Sequence, residues 1–196
     1  MESLGILDDN LIGVHSCKLT DQEANYLGQA SATTVHCPTT NMFMADGISP
    51  ISVLSKLGAK VCIGTDGAAS TGRLDMFGEI KTAALLQKIF YDNPAQIRAS
   101  DVLSMATSNG ANALGIEAGV LKAGYLADIT VLDMNRVNTV FSQDPVAAIV
   151  YSANTENVDS VMVNGRFVLE GKELKTIDEE KTLAEGKRAA RLLLGR

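Results

Sequence analysis

Three polar side chains that could bind a metal or carry a proton each follow a short apolar run. His15 and His36 end the first two runs, and Asp66 follows the third after one intervening threonine. The runs cover residues 11–14, 32–35 and 60–64. Apolar runs that alternate with helices indicate parallel strands, and the carboxyl ends of such strands carry the active site of an α/β barrel. We therefore predict that the three groups converge on one mouth.

Each of these residues also has a purely structural interpretation. Asp66-Gly67 is a common turn dipeptide, and His36 could simply end a strand. His15 and Cys17 would share one face of a strand and could form a nucleophilic pair. The sequence around them disfavours that chemistry, because no known Cys motif is present and Cys17 precedes a lysine and a helix start. Three polar residues at successive strand ends nevertheless favour a site over coincidence.

The segments between these residues predict the helices that would position them. Thr20 and Glu23 have the spacing of a capping box, so a helix should begin after Thr20. Further helices are predicted over residues 50–57, from Asp75 onward, and over residues 100–114. The sequence thus indicates an α/β fold with three strand–helix units, whereas a closed barrel needs eight.

The pattern changes to shorter, β-rich segments after residue 118. A strand is predicted over residues 127–132 and a short helix over 144–151. Asn164-Gly165 between two apolar runs predicts a hairpin with a type I′ turn. A final helix should begin at Asp178. We therefore divide the chain into a barrel-like part, residues 1–118, and a small β-rich part with a C-terminal helix, residues 119–196.

Composition limits the classes of partner. The chain has 196 residues and a formal net charge of −6, which disfavours binding to nucleic acid. Its three cysteines, Cys17, Cys37 and Cys62, show no paired spacing, as expected in a reducing compartment. We find no signal peptide and no apolar stretch long enough for a membrane span. These features predict a cytoplasmic protein with no membrane partner.

Several stretches of the sequence together resemble the motifs of one known protein family. The stretch VHCPTTNM resembles their H-N-P-x-S-N-M motif, and IGTDGAAS followed by LDMFGE is very similar to their G-T-D-G-A-A-S…L-D-M-F-x-E block. GYLADITVLD looks like the G-x-x-A-D-(I/L)-x-(V/L)-x-D signature that begins their C-terminal β-segment. These stretches lie at residues 35–42, 63–70, 74–79 and 124–133. This family is the amidohydrolases; the resemblance covers nearly the whole chain and is specific for their chlorohydrolase/deaminase branch.

The resemblance implies a fold, a cofactor and a reaction. Members fold as a (β/α)8 barrel with a small β-sandwich, so this chain would be the C-terminal part, with the last three strands. They hold one divalent metal, zinc or iron, through an H-x-H pair, a fifth-strand His and an eighth-strand Asp. Asp66 matches that Asp, and would bind the metal and carry a proton. His15 matches the sixth-strand His beside the attacking water, and His36 matches the seventh-strand motif without an assigned role. The implied reaction is hydrolytic deamination of an adenine-type nucleoside such as methylthioadenosine or S-adenosylhomocysteine.

The chain also departs from the family pattern. It contains no H-x-H pair. The fifth-strand His is also absent, as is the Glu near it that protonates the substrate ring in family members. Family members are more than twice as long as this chain. His15-Ser16 replaces the usual H-C, and Thr71 replaces an Asn. We therefore expect that this chain alone is inactive and does not hold the metal. It should self-associate or receive an N-terminal half in trans. Two alternatives remain open: a non-enzymatic remnant that acts in binding or oligomerisation, and a fragment of a triazine-type chlorohydrolase.

Overall fold

Three parallel strands form the first sheet of the computed structural model, which describes residues 4–195. The strands are β1 (Ile12–Val14), β2 (Thr33–His36) and β3 (Lys60–Ile63), in the order β1-β2-β3. Val14 pairs with Val35, and His36 pairs with Ile63, so the three carboxyl ends lie at one edge. The parallel α/β arrangement predicted from the sequence is confirmed.

Helices connect and cover these strands. They are α1 (Asp21–Gln29), α2 (Pro38–Phe43), α3 (Ile51–Lys56), α4 (Ala68–Thr71), α5 (Met76–Phe90), α6 (Ala99–Met105) and α7 (Ser108–Ala113). The capping box of α1 is confirmed, since Thr20 Oγ1 accepts from the Glu23 amide and the Glu23 carboxylate accepts from the Thr20 amide. The short helix α2 was not predicted. Its first residue is Pro38, whose fixed φ suits the first helical position.

The single helix predicted over residues 100–114 is wrong, because α6 and α7 are separate. The chain breaks at Thr107, which has φ −132° and ψ −96°. This break lets Asn109 Nδ2 donate to the backbone carbonyl of Val61 in β3, at 2.8 Å. Gly119 also lies so close to Ser108 that a Cβ there would lie 2.7 Å from Ser108 Cα. Tertiary contacts to β3 and to the following loop therefore outweigh the helical pattern.

The second sheet is antiparallel and lies after residue 118. Its strands are β4 (Ile129–Leu132), β5 (Val158–Val163), β6 (Arg166–Glu170) and β7 (Glu173–Leu174), in sequence order. Asn164 and Gly165 both have positive φ, 49° and 74°, as the predicted type I′ turn requires. The helices α8 (Pro145–Tyr151) and α9 (Glu179–Leu193) lie near their predicted positions. No helix among residues 4–195 is long and apolar enough to cross a membrane.

The main core lies between the first sheet and the helices behind it. Its fully buried members come from α3, β3, α5, α6 and α8 and include Ile51, Leu54, Val61, Ala83, Val102 and Val150. Helix α9, by contrast, has no buried residue. The core thus makes the parallel sheet a rigid support for the residues at its carboxyl edge.

The two outer edges of the parallel sheet, β1 and β3, differ in how open they are to another chain segment. On β1, the side chains of Ile12 and Val14 are 43% and 50% exposed. On β3, the Val61 carbonyl already accepts the hydrogen bond from Asn109. An exposed strand edge with apolar side chains favours pairing with another chain segment. The β1 edge is therefore the more open of the two.

Candidate active site

His15 leaves the sheet directly after β1 in an unusual backbone conformation. Its amide donates to the Val35 carbonyl at 2.9 Å, which continues the ladder by one residue. His15 and Ser16 then have positive φ angles of 70° and 53°. Residues other than glycine adopt this region at a cost of about 1–3 kcal/mol, and such residues cluster at functional sites. This sharp turn holds the His15 side chain at the carboxyl edge of the sheet.

Asp66 lies three residues after β3 and also has a positive φ, 58°. Its Oδ1 accepts from the Gly67 amide at 2.6 Å. This hydrogen bond, the side-chain hydroxyl of Thr40 and the nearby imidazole of His15 lower the pKa of the Asp66 carboxyl below its ordinary value. Asp66 is therefore a carboxylate at neutral pH, and its Oδ2 faces the His15 ring.

His15 and Asp66 meet although they lie 51 positions apart in the sequence. His15 Nε2 lies 3.9 Å from Asp66 Oδ2, and the two side chains are 36% and 30% exposed. This pair is open to solvent and joins an imidazole to a carboxylate, the groups that transfer protons in general acid–base catalysis. The convergence predicted for these two residues is confirmed by their distance.

His36 does not reach this open mouth, and that part of the predicted convergence is wrong. Its side chain is completely buried, and its Nε2 has no hydrogen-bond partner among the described residues. Burial, together with the nearby His15, lowers its pKa to about 4. His36 is the last residue of β2, a strand in which three of the four residues are buried. It is thus a neutral imidazole at physiological pH.

Asn41 joins the two histidines and was missed by the sequence analysis. Its Oδ1 lies 2.8 Å from His15 Nδ1, and its Nδ2 lies 3.5 Å from His36 Nδ1. Asn41 is completely buried in α2. The only signal in the sequence was its place in the VHCPTTNM stretch, where side-chain contacts cannot be read.

Glu79 supports the helix that carries Asn41. This α5 residue is 2% exposed, and its Oε2 accepts from the Thr39 amide in the first turn of α2 at 3.1 Å. A carboxylate at a helix start satisfies amides that have no partner within the helix. Glu79 therefore fixes the start of α2, two residues before Asn41.

The cysteines are not arranged as nucleophiles. Cys17 Sγ donates to the backbone carbonyl of His15, at 3.6 Å. Burial and the charge of Asp46 raise the pKa of the Cys17 thiol, and burial raises that of Cys62. Burial and the charge of Asp66 raise the pKa of Cys37 to about 11. Thiols with raised pKa values are poor nucleophiles, so the Cys–His interpretation is not supported.

The donors present fit one part of a zinc site. Asp66 Oδ2 and His15 Nε2 are both accessible, and a carboxylate and an imidazole are normal zinc ligands. Among residues 4–195, however, no group of three or more His, Cys, Asp or Glu side chains could hold a metal ion. A protein zinc site uses three or four protein ligands, so this edge of the sheet supplies only some of them.

The sequence matches the profile of the amidohydrolase family over residues 1–168. The chain belongs to the amidohydrolase family. It is 40% identical over 183 residues to the 5-methylthioadenosine/S-adenosylhomocysteine deaminase of Pyrococcus furiosus, covering 93% of this chain and 44% of that protein. It is 42% identical over 193 residues to the 5'-deoxyadenosine deaminase of Methanosphaera stadtmanae, covering 98% and 45%. The chain thus spans about half the length of the curated relatives it matches.

Solved structures agree with this assignment. An adenosine deaminase from Xanthomonas campestris with bound zinc superimposes with a TM-score of 0.96 at 31% identity, over 100% of this chain and 45% of that one. The atrazine chlorohydrolase of Arthrobacter aurescens, also in complex with zinc, gives 0.87 at 28% identity, over 95% and 42%. The predicted fold, a partial barrel of amidohydrolase type with part of a β-rich domain, is confirmed.

Proposed function

We propose that this chain is the C-terminal half of a metal-dependent deaminase that acts on 5'-modified adenosines. One observation carries the proposal: His15 and Asp66, from strand ends far apart in the sequence, lie 3.9 Å apart in an open mouth. The relatives at about 40% identity are named for this reaction, which supports the choice of substrate class.

The two residues have separate roles in this proposal. Asp66 is a carboxylate whose Oδ2 faces His15, so it can bind the metal through Oδ2 and accept a proton from the attacking water. His15 Nε2, beside that oxygen, positions the attacking water by accepting a hydrogen bond from it. A divalent metal bound here would lower the pKa of water towards neutrality.

The remaining metal ligands must come from another segment. The described residues offer one carboxylate and one imidazole at this edge, and no larger cluster. The open β1 edge, with Ile12 and Val14 exposed, is a suitable docking surface for the preceding strands of a barrel. We therefore propose that an N-terminal half carrying the H-x-H motif completes the site.

Reconstitution tests the proposal directly. The chain is mixed or co-expressed with the N-terminal half of the Pyrococcus furiosus relative and supplied with zinc. Ammonia release is then measured from methylthioadenosine, S-adenosylhomocysteine and 5'-deoxyadenosine. Atrazine serves as the comparison substrate, because the chlorohydrolase is also a structural neighbour. Chloride release without ammonia would favour the triazine alternative, and a folded pair without either activity would favour the non-enzymatic alternative.

Two variants separate the catalytic residues from their surroundings. Asp66→Asn keeps the size and an oxygen ligand but removes the proton acceptor, so turnover should fall about 10²–10⁴-fold. Cys17→Ser is the matched control, because Cys17 lies beside the same turn and its thiol bonds to the His15 backbone carbonyl, which a serine hydroxyl can also do. It should leave turnover nearly unchanged. Full activity of Asp66→Asn in an active pair would refute the assignment of Asp66.

A further inference from the structure

A single buried amide contacts both histidines of the chain. Asn41 Oδ1 lies 2.8 Å from His15 Nδ1, and Asn41 Nδ2 lies 3.5 Å from His36 Nδ1. An amide oxygen can only accept a hydrogen bond, and an amide nitrogen can only donate. The proton positions on the two rings are therefore linked through the orientation of one side chain.

We propose that Asn41, oriented by buried His36, is a positioning residue that holds His15 as the Nδ1–H tautomer. In this arrangement His15 Nδ1–H donates to Asn41 Oδ1, and His36 accepts at Nδ1 from Asn41 Nδ2. His36 then carries its own proton on Nε2. The tautomers of the two histidines are opposite, and reversing the amide would reverse both.

Burial keeps this arrangement in place. Asn41 and His36 are completely buried, so water cannot compete for the amide. The lowered pKa of His36, about 4, keeps its Nδ1 available as an acceptor at neutral pH. Glu79 holds the first turn of α2 through the Thr39 amide, which limits the movement of Asn41.

The consequence concerns the other nitrogen of His15. Because Nδ1–H is committed to Asn41, a proton can enter or leave the ring only at Nε2. That nitrogen lies 3.9 Å from Asp66 Oδ2, on the solvent-accessible side. The catalytic use of His15 Nε2 rests on the proposed function, whereas the Nδ1–H tautomer of His15 does not depend on it.

The tautomers can be measured without any activity. The chain has only two histidines, so ¹⁵N-histidine labelling gives two ring systems in a long-range ¹H–¹⁵N spectrum. The spectrum is recorded at about pH 8.5, well above the ordinary histidine pKa of about 6.5. We expect a protonated Nδ1 and a bare Nε2 in His15, and the opposite pattern in His36. His15 as the Nε2–H form, which free histidine prefers in water, would overturn the proposal.

A pair of variants tests whether Asn41 is the cause. Asn41→Leu removes both amide contacts at similar volume, so His15 should return to the Nε2–H form. Met42→Leu, on the same helix but half exposed, is the matched control and should leave both tautomers unchanged. If Asn41→Leu folds, as judged by circular dichroism, and His15 stays in the Nδ1–H form, the proposal is wrong. If this variant does not fold, the wild-type spectrum still decides.

Activity gives a separate readout. In the reconstituted pair, Asn41→Leu should lower kcat about 10–100-fold, as is typical when a residue that orients an active-site imidazole is lost. If the expected tautomers are found but no pair releases ammonia, the proposed function fails and the inference about Asn41 stands. If ammonia is released while wild-type His15 is the Nε2–H form, the proposed function stands and the inference about Asn41 fails.

Discussion

The buried imidazole of His36 should make the stability of this chain depend on pH. Burial lowers its pKa in the folded state to about 4, whereas in the unfolded chain histidine has its ordinary pKa of about 6.5. Between these values the unfolded state binds a proton that the folded state does not. The free energy of unfolding therefore falls as pH falls through this range, and is fully retained above it.

The size of the effect follows from the two pKa values. Their difference corresponds to about 3 kcal/mol, at about 1.4 kcal/mol for each pH unit. About 2 kcal/mol of this should be lost between about pH 8 and about pH 5, because at the lower pH nearly all unfolded chains but only about one folded chain in ten carry the proton. Carboxylates contribute little to this loss of unfolding free energy between about pH 8 and about pH 5, since their ordinary pKa values are about 4.

Urea unfolding followed by circular dichroism measures this loss at fixed protein concentration. The control is His36→Asn, which removes the titrating group but keeps a polar side chain. This variant should be less stable than the wild type near pH 8, because its shape differs, yet lose less than about 0.5 kcal/mol on acidification. An equal loss in both proteins, or no loss in the wild type, would show that His36 is not the group responsible.

Three further predictions concern packing, metal content and association. Gly28→Ala should destabilise the chain by about 1–3 kcal/mol, because a Cβ there would overlap the Leu57 carbonyl oxygen. Gly186→Ala in exposed α9 has open space and should instead stabilise that helix by about 0.5–1 kcal/mol. In thermal unfolding, a Gly28→Ala variant as stable as the wild type would contradict the close approach. The purified chain should hold no stoichiometric zinc or iron, since His15 and Asp66 cannot complete a site. Elemental analysis that finds about one tightly held ion per chain after mild chelation would refute this. The open β1 edge should cause self-association at micromolar concentration, and a monodisperse monomer in light scattering would count against it.

Local sequence signals determined much of the architecture. The Thr20–Glu23 capping box and the Asn164-Gly165 turn depend on contacts within a few residues, and both are present as predicted. The alternation of apolar runs and helices was enough to predict three parallel strands. Because parallel strands end at one edge, the meeting of His15 and Asp66 also followed from the pattern.

Only the tertiary structure decided the remaining features. The break at Thr107 depends on the contact of Asn109 with β3, 48 residues away in the sequence, which no local pattern contains. The burial of His36 and its link through Asn41 to His15 depend on how α2 packs over the strand ends. Residue type and spacing can bring a side chain to the end of a strand. Its environment, and therefore its pKa and its hydrogen-bond partners, is set by segments that are distant in the sequence and close in space.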